Sequence, residues 1–268
     1  MTNPKKSLGQ HWLTNQYWLE KMAEAAEIEP QDTVLEIGPG QGTLTDTLLK
    51  KPGRVVAIEK DHRLIPVLKE KFASELNRGQ LKLISGDILD LNPKELGTSD
   101  LKVVANIPYY LTGKILSGLL SGDPKPKTMV LMIQKEVARR CLGEPATKNK
   151  HAQNNLLSIS ISAYGQIKYL ATVKRGNFSP PPKIDSAIIK IDHIDRQKFV
   201  SSGVPEDLFF QTLKTGFGQK RKLLSKNLAC PPEVLSECAI PEKARAENLS
   251  LEEWFLLAKK LNDFQNKK

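Results

Sequence analysis

No apolar run in the sequence approaches the roughly 20 residues that a membrane-spanning helix requires. The opening residues, MTNPKKSLGQHW, hold no apolar segment of the kind a secretory leader uses, so neither an anchor nor export is expected. Cysteine is as scarce. Cys141, Cys230 and Cys238 are the three present, an odd number without CxxC spacing, which supports neither a disulfide framework nor a zinc ribbon. His11, His62, His151 and His193 stand apart from one another and from carboxylates at ligand spacing, so no metal is expected. A reducing cytoplasm is the natural setting for such a chain. Acidic residues are also short: 30 Asp and Glu face 40 Lys and Arg, a formal net charge of +10. That excess attracts polyanions, with a basic surface kept only for solubility as the competing reading. Aromatic residues make up 6% and hydrophobic residues 40%, which suits a folded chain. At 268 residues it can bury one large core, alone or with an appendage.

What is present reads as alternating strands and helices, then helices alone. Tyr17 to Ala26 has helical spacing, and TVLEIG (33–38) is a buried-strand run ending in glycines. TLTDTLLKK follows as a helix, RVVAIE (54–59) as a strand, HRLIPVLKEKFAS as a helix and LKLISGD (81–87) as a third strand. LKVVAN (101–106) and TMVLMIQ (128–134) are the fourth and fifth, and SAIIKID (186–192) is a late one. The alternation predicts an α/β domain with a doubly wound, parallel sheet over residues 1–195. LLSISISAYG (156–165) alternates like a strand, but its period alone leaves helix and strand both open. Residues 196–268 turn helical, with Ser250 and Glu253 spaced as a capping box, and predict a small all-helical C-terminal domain.

Strand ends carry the chemistry. In LEIGPGQGTLT, Gly38, Gly40 and Gly42 follow the first strand at once, where a tight turn lets a ligand approach the backbone. The third glycine comes one residue too early for the dinucleotide pattern G-x-G-x-x-G, and no Gly-Lys-Ser/Thr follows, so a P-loop is excluded. The form E-x-G-x-G-x-G resembles the S-adenosylmethionine (SAM) loop of class I methyltransferases; a purely structural glycine turn is the competing reading. Glu59 ends the second strand where a carboxylate can accept from ribose hydroxyls, and Asp87 ends the third where one can accept from an adenine amine. Ligands of such sheets sit outside the carboxyl ends of the strands, so three consecutive ends bearing Gly, Glu and Asp point to one crevice.

The fourth strand end is the unusual one. Asparagine is depleted in strands, yet Val103-Val104-Ala105 runs straight into Asn106, and then into Ile107-Pro108-Tyr109-Tyr110. The Asn106 amide oxygen and a backbone carbonyl of the Ile107-Pro108 turn together can accept from one exocyclic amino group. Such a nitrogen is a poor nucleophile because its lone pair is delocalised into the ring. Two acceptors favour the geometry that frees the pair to attack a methyl sulfonium. Tyr109 then offers a stacking face to a base taken out of its helix. The competing reading is a strand, a proline turn and two core aromatics.

Together KKSLGQHWL, LEIGPGQGTLT, NIPYYLT, FSPPPKIDSAIIKI and RAENLSLEEW resemble the KsgA/RsmA family, rRNA adenine N6,N6-dimethyltransferases of the small ribosomal subunit. The likeness runs from about Lys5 to Leu261. It implies a class I, Rossmann-like domain with a seven-stranded, mostly parallel sheet, and a helical C-terminal domain that binds rRNA. The reaction it implies is SAM-dependent dimethylation of two adjacent adenosines in a hairpin loop near the 3′ end of small-subunit rRNA, within assembling particles, by a monomer. Residue by residue, Gln10, His11 and Leu13 would close over the methionine end of SAM. Gly38 and Gly40 would line it, Glu59 would hold the ribose, Asp87 and Ile88 the adenine, and Asn106 would border the cofactor. Asn106, Pro108 and Tyr109 would hold the target amine and Phe178 would stack on its base. The likeness also implies a helix at 156–165.

Two departures stand out. The family often has Asn-Phe where this chain has His11-Trp12, and PATKNKHAQNN (145–155) replaces a short Tyr-Gly segment. In KTGFGQKRKLLSK (214–226), Lys214, Lys220, Arg221, Lys222 and Lys226 occur with no acid. Read as a helix with Phe217, Leu223 and Leu224 inward, that segment presents a basic face to RNA phosphates. Two rivals remain at this level: an Erm-type enzyme acting on a large-subunit adenine, which shares N-x-P-Y, and a non-catalytic assembly factor on the same fold.

Overall fold

The structure, a computed structural model, describes residues 4–5, 9–96, 98, 100–143 and 154–266. In chain order the elements are β1 (Trp12–Leu13), α1 (Gln16–Ala25), β2 (Thr33–Ile37), α2 (Thr43–Leu48), β3 (Arg54–Glu59), α3 (Ile65–Lys71), α4 (Ala73–Asn77) and β4 (Leu81–Ser85). Then come β5 (Leu101–Asn106), α5 (Thr112–Ser121), β6 (Thr128–Gln134), α6 (Lys135–Cys141), α7 (Leu156–Tyr164), β7 (Gln166–Val173), β8 (Phe178–Ser179) and β9 (Ser186–Asp192). The last five are α8 (Gln197–Ser202), α9 (Glu206–Gly216), α10 (Leu224–Leu228), α11 (Pro232–Glu237) and α12 (Leu251–Asn266). Two compact units emerge: Met1–Ala138 with Ile167–Ile194, and Arg139–Gln166 with Asp195–Lys268.

In the first unit seven strands form one sheet in the order β4-β3-β2-β5-β6-β9-β7. β4, β3, β2, β5 and β6 run parallel, and β9 is antiparallel to β6. Every residue of β2 and β9 is buried, as are all of β5 but Asn106 and all of β6 but its two ends. That is why these segments read as mainly apolar runs without a strict alternation: a sheet covered on both faces has no polar side to alternate with. The strand order reverses between β2 and β5, and there a crevice opens at the carboxyl ends of the strands. β1 and β8 form a separate antiparallel pair, with Trp12 opposite Ser179 and Leu13 opposite Phe178.

The segment expected as one helix from His62 to Ser74 is two, broken at Phe72 (φ −112°, ψ 28°), whose ring is buried in the core. β7 escaped the sequence reading because, at the edge of the sheet, its residues are mostly half-buried and carry no clear period.

The second unit is helical. Residues 156–165, left open by their alternation, are a helix because Asn155 caps it. The Asn155 carboxamide oxygen accepts from the amides of Leu157 (3.0 Å) and Ser158 (3.1 Å), and the Ser158 hydroxyl accepts from the Asn155 amide (2.9 Å). Tyr164 on α7 donates to Glu206 of α9 (2.7 Å) and packs against Phe199 and Phe210. Phe255 of α12 completes the cluster, stacked on Phe209 with centroids 4.3 Å apart. Ser250 and Glu253 cap α12 reciprocally, at 3.2 and 2.7 Å. A division of the chain at 195/196 leaves out the excursion 139–166, which packs with the later helices rather than with the sheet.

The basic segment is not a continuous helix. α9 stops at Gly216, residues 217–223 turn, and α10 starts at Leu224. The reason is local. Phe217 leaves the helix to stack on Trp254 (5.4 Å), and the Asn227 carboxamide donates to the carbonyls of Gly216 (2.6 Å) and Gln219 (3.1 Å), closing the turn. A β-carbon at Gly216 would lie 2.4 Å from Cη2 of the fully buried Trp254. Gly216→Ala is therefore expected to cost about 1–3 kcal/mol by overpacking. Gly113→Ala, on an open face of α5 with nothing within 4 Å, should be neutral or slightly stabilising. Denaturant titration of the two variants checks the contrast.

Candidate active site

The loop after β2 begins the site. Gly40 (φ +60°) and Gly42 (φ +77°) hold left-handed conformations that a side chain would strain, and a β-carbon at Gly42 would meet the Phe72 ring at 2.6 Å. The loop is tied down from the next strand. Glu59, buried at the end of β3, accepts from the Gly40 amide (3.0 Å) with Oε2 and from the Asp61 amide (2.8 Å) with Oε1. Burial raises its pKa, and these amide donors oppose that rise.

Asp61 was not singled out in the sequence, yet it tethers the N-terminal arm, residues 9–12, which lines the cleft. Its carboxylate accepts from Arg63 Nε (2.9 Å) and Nη2 (2.6 Å) and from Gln10 Nε2 (3.1 Å). The Arg63 guanidinium is the main reason its pKa falls to about 2. Two residues beyond β4, which stops at Ser85 and not at Asp87 as expected, Asp87 pairs with Lys60 (2.6 Å) and accepts from the Leu89 amide (3.1 Å); the Lys60 bond holds its pKa below the usual carboxylate range.

Asn106, at the end of β5, donates through Nδ2 to the His11 carbonyl (3.1 Å), a second tether for the arm. His11 Nδ1 lies 2.8 Å from the Pro180 carbonyl, which can only accept, so Nδ1 carries the proton. The His11 ring stacks on Tyr109, centroids 5.8 Å apart, and the Tyr109 hydroxyl lies 2.7 Å from Oγ of the buried Ser186. Burial raises the Tyr109 pKa, so the ring stays a neutral phenol.

One cleft is lined by Gln10, His11, Gly38, Gly40, Glu59, Asp87, Ile88, Asn106, Pro108 and Tyr109, and also by Trp12, Lys60 and Tyr110. A second cavity is lined by Gln134 and the loop Pro180–Ile184, and it shares Gly9, Gln10, His11 and Tyr109 with the first. Two expected residues are not brought in. Leu13 and Phe178 face each other across the β1–β8 pair with their side chains in the core, only 2% and 4% exposed. Packing wins because the short pair needs an apolar underside. Among the described residues no group of three or more His, Cys, Asp or Glu is placed to hold a metal, and no helix is long and apolar enough to cross a membrane.

Lys214, Lys220, Arg221, Lys222 and Lys226 are exposed in the second unit, on the end of α9, the turn and α10. Most of the divergent stretch 145–155 lies outside the described residues. Of its last two, Asn154 donates to the Leu249 carbonyl (2.8 Å) and Asn155 is the α7 cap.

Comparison with known proteins identifies the family and the fold. The model of the family described as ribosomal RNA adenine dimethylase matches residues 1–263. The chain belongs to that family. Among curated dimethylase relatives, the "Ribosomal RNA small subunit methyltransferase A" of Dehalococcoides mccartyi is 42% identical over 260 residues, 93% of this chain and 86% of the relative. The protein of the same name from Clostridioides difficile is 37% identical over 268 residues, covering 96% and 90%. A solved dimethyladenosine transferase from Plasmodium falciparum superposes with a TM-score of 0.78 at 28% identity, over 94% of this chain and 98% of that one. The 23S rRNA methyltransferase ErmE superposes with a TM-score of 0.69 over 94% and 99%, but at 23% identity it shares the fold alone. The seven-stranded, mostly parallel sheet is thus that of class I methyltransferases, and the likeness seen in the motifs holds over nearly the whole chain.

One further carboxyl lies under the glycine loop of this dimethylase. Glu36 on β2 is fully buried, accepts from the Thr45 hydroxyl (2.7 Å), and has no partner for Oε1. Desolvation, with a smaller push from Glu59, raises its pKa from 4.5 to about 8. The folded state therefore keeps a proton that the unfolded chain gives up above pH 4.5, and the resulting stability falls as pH rises between 4.5 and about 8. Glu36→Gln mimics the protonated form, so its melting temperature should decline less than that of the wild type between pH 5 and 8. Parallel pH profiles would rule the buried proton out.

Proposed function

We propose that the chain is a SAM-dependent rRNA (adenine-N6,N6)-dimethyltransferase. In this reading it acts as a cytoplasmic monomer on two adjacent adenosines of the 3′-terminal hairpin loop of small-subunit rRNA, within assembling ribosomal particles. The observation that carries the reading is the setting of Asn106. Its nitrogen is committed to the His11 carbonyl, so Oδ1, which has no partner among the described residues, is the acceptor left over. It stands in the cleft beside Tyr109, which borders both cavities.

The residues of the cleft fit SAM. Glu59 uses one lone pair on each oxygen for the protein and keeps others for ribose hydroxyls. Asp87 and Ile88 suit the adenine, and Gly38, Gly40, Gln10 and His11 the methionine end. When bound, SAM supplies a methyl group on a positively charged sulfur. The protein's task is to present the amine. Asn106 Oδ1 and the Ile107 carbonyl accept its two protons; the Pro108 carbonyl already takes the Leu111 amide (3.0 Å), whereas that of Ile107 has no described partner. Tyr109 offers its face to the base, and the second cavity receives the rest of the nucleotide. Phe178 has no part in this scheme because its ring is in the core. The methylated product is acidic, so no strong base is required, and positioning accounts for most of the rate.

The substrate is tested by mass spectrometry of RNA from unmethylated small-subunit particles after incubation with enzyme and SAM. A dimethyl increment on two neighbouring adenosines is expected. Preferred modification of naked large-subunit rRNA would replace the reading with the Erm type. Within the scheme, Asn106→Ala should lower kcat at least a hundredfold while RNA affinity changes only a few-fold, because the lost bond forms mainly in the transition state. Neutralising Lys220, Arg221 and Lys222 together should flatten the salt dependence of particle binding, by about 0.7–0.9 of a log unit of slope for each phosphate that is no longer neutralised. SAM affinity should stay as it was. Equal salt slopes would leave the turn as a solvated face.

A further inference from the structure

Gln134, the last residue of β6, takes no part in the scheme above, yet the sheet delivers its side chain to the second cavity. Paired residues of neighbouring strands point to the same face, and so do residues two apart on one strand. Asn106 pairs with Met132 across β5 and β6, and Gln134 with Ser186 across β6 and β9. These four side chains therefore share one face. On that face Ser186 Oγ lies 2.7 Å from the Tyr109 hydroxyl, so Gln134 starts beside the residue that holds this ring. Asn106 and Gln134 are one strand and two residues apart, about 8 Å between α-carbons at ordinary strand spacings. Gln134 borders the second cavity with Tyr109 and His11, and is absent from the cleft that carries Glu59 and Asp87.

Neither end of the Gln134 carboxamide has a partner among the described residues. The other amide side chain of the cavity, Gln10, is engaged at both ends, by Asp61 (3.1 Å) and by the Lys5 amide (2.6 Å). Lys183 brings an exposed ammonium, a point charge suited to phosphate. A planar carboxamide is a different recognition element, and it fits the edge of an adenine. A glutamine at a strand end is ordinarily only solvated. This one stands at a cavity wall, on the face of Asn106, beside the ring that offers itself to the base.

We propose that Gln134 is a specificity residue whose carboxamide nitrogen donates to a ring nitrogen of the target adenine, while Asn106 and the Ile107 carbonyl hold the amine. The role rests on the adenine-methylation reading of the site. The ring nitrogens N1, N3 and N7 of adenine only accept, so the donor end of the carboxamide faces them. Stacking on Tyr109 alone leaves the base free to turn in its own plane. A second anchor, across the face from Asn106, stops that rotation and keeps the amine aimed at the methyl group. Gln134 binds substrate and makes or breaks no bond.

The test replaces the ring nitrogens one at a time. Small-subunit particles are assembled on rRNA that carries 1-, 3- or 7-deazaadenosine at the target positions, where a C–H stands in place of one nitrogen. Single-turnover methylation is compared between the wild type and Gln134→Leu, which is close in size and has no polar side-chain atom. On adenosine the variant should be roughly ten- to a hundredfold slower. On one of the three analogues the wild type should lose about that factor and the variant should lose far less, while on the other two both proteins should lose alike. Changes in the reactivity of the amine cancel in this comparison. Gln134→Glu, which keeps the shape but offers only acceptors, should repeat the pattern. S-adenosylhomocysteine affinity and the melting temperature of both variants should stay at the wild-type values. A wild-type rate for Gln134→Leu on adenosine would overturn the proposal, and so would equal losses of variant and wild type on all three analogues. A wild-type protein that leaves unmodified particles unmethylated would instead overturn the substrate reading on which the proposal rests.

Discussion

The carboxylate of Glu59 holds the site together. One oxygen takes the amide of Gly40 and the other the amide of Asp61, so a single buried group fixes the glycine loop to the end of the neighbouring strand. Asp61, set in place by that bond, uses its own carboxylate to hold Arg63 and Gln10. The chain of contacts runs from β3 to the loop after β2 and out to the N-terminal arm. Two of its members are carboxylates shifted in opposite directions. Glu59 is raised because burial outweighs its amide donors, and Asp61 is lowered because a guanidinium faces it. The residue proposed to hold ligand hydroxyls is thus also part of the frame, and removing it would loosen the loop and the arm together.

The arm is held at a second point, where the Asn106 amide takes the His11 carbonyl. This bond sets which end of the carboxamide is left to act as acceptor, so the arm orients the residue it covers. His11, fixed between Pro180 and the Tyr109 ring, links the arm to the proline loop of the second cavity. The two cavities are therefore joined through shared side chains, and neither keeps its wall without the other.

The architecture was legible because buried parallel strands announce themselves as apolar runs, and each run here ends on a residue unsuited to a strand interior. Gly38, Glu59, Asp87 and Asn106 were found that way, and the structure brings all four to one cleft. Asp61 and Arg63 were missed because the role of the pair comes from a partner far along the chain: Gln10 lies 51 residues from Asp61. Leu13 and Phe178 went the other way, taken for ligand contacts on motif position although the β1–β8 pairing turns both inward. The basic segment shows the limit of helical periodicity. Its apolar residues do pack inward, with Leu224 fully buried, but a glycine at each side of Phe217 and the Asn227 carboxamide make the path a turn.

The helical unit is assembled from two separate stretches of chain, Arg139–Gln166 and Asp195–Lys268, with β7, β8 and β9 threaded between them. On a ribosome, α7 leaves the exit tunnel well before α8, α9 and α12 exist to cover it. Its apolar positions Ile159, Ile161 and Ala163 and the ring of Tyr164 must wait, while the sheet of the first unit can close as soon as β9 is made. The order of synthesis thus gives the nascent chain an interval in which the catalytic sheet is complete and an apolar helix is still uncovered, the kind of surface that chaperones bind.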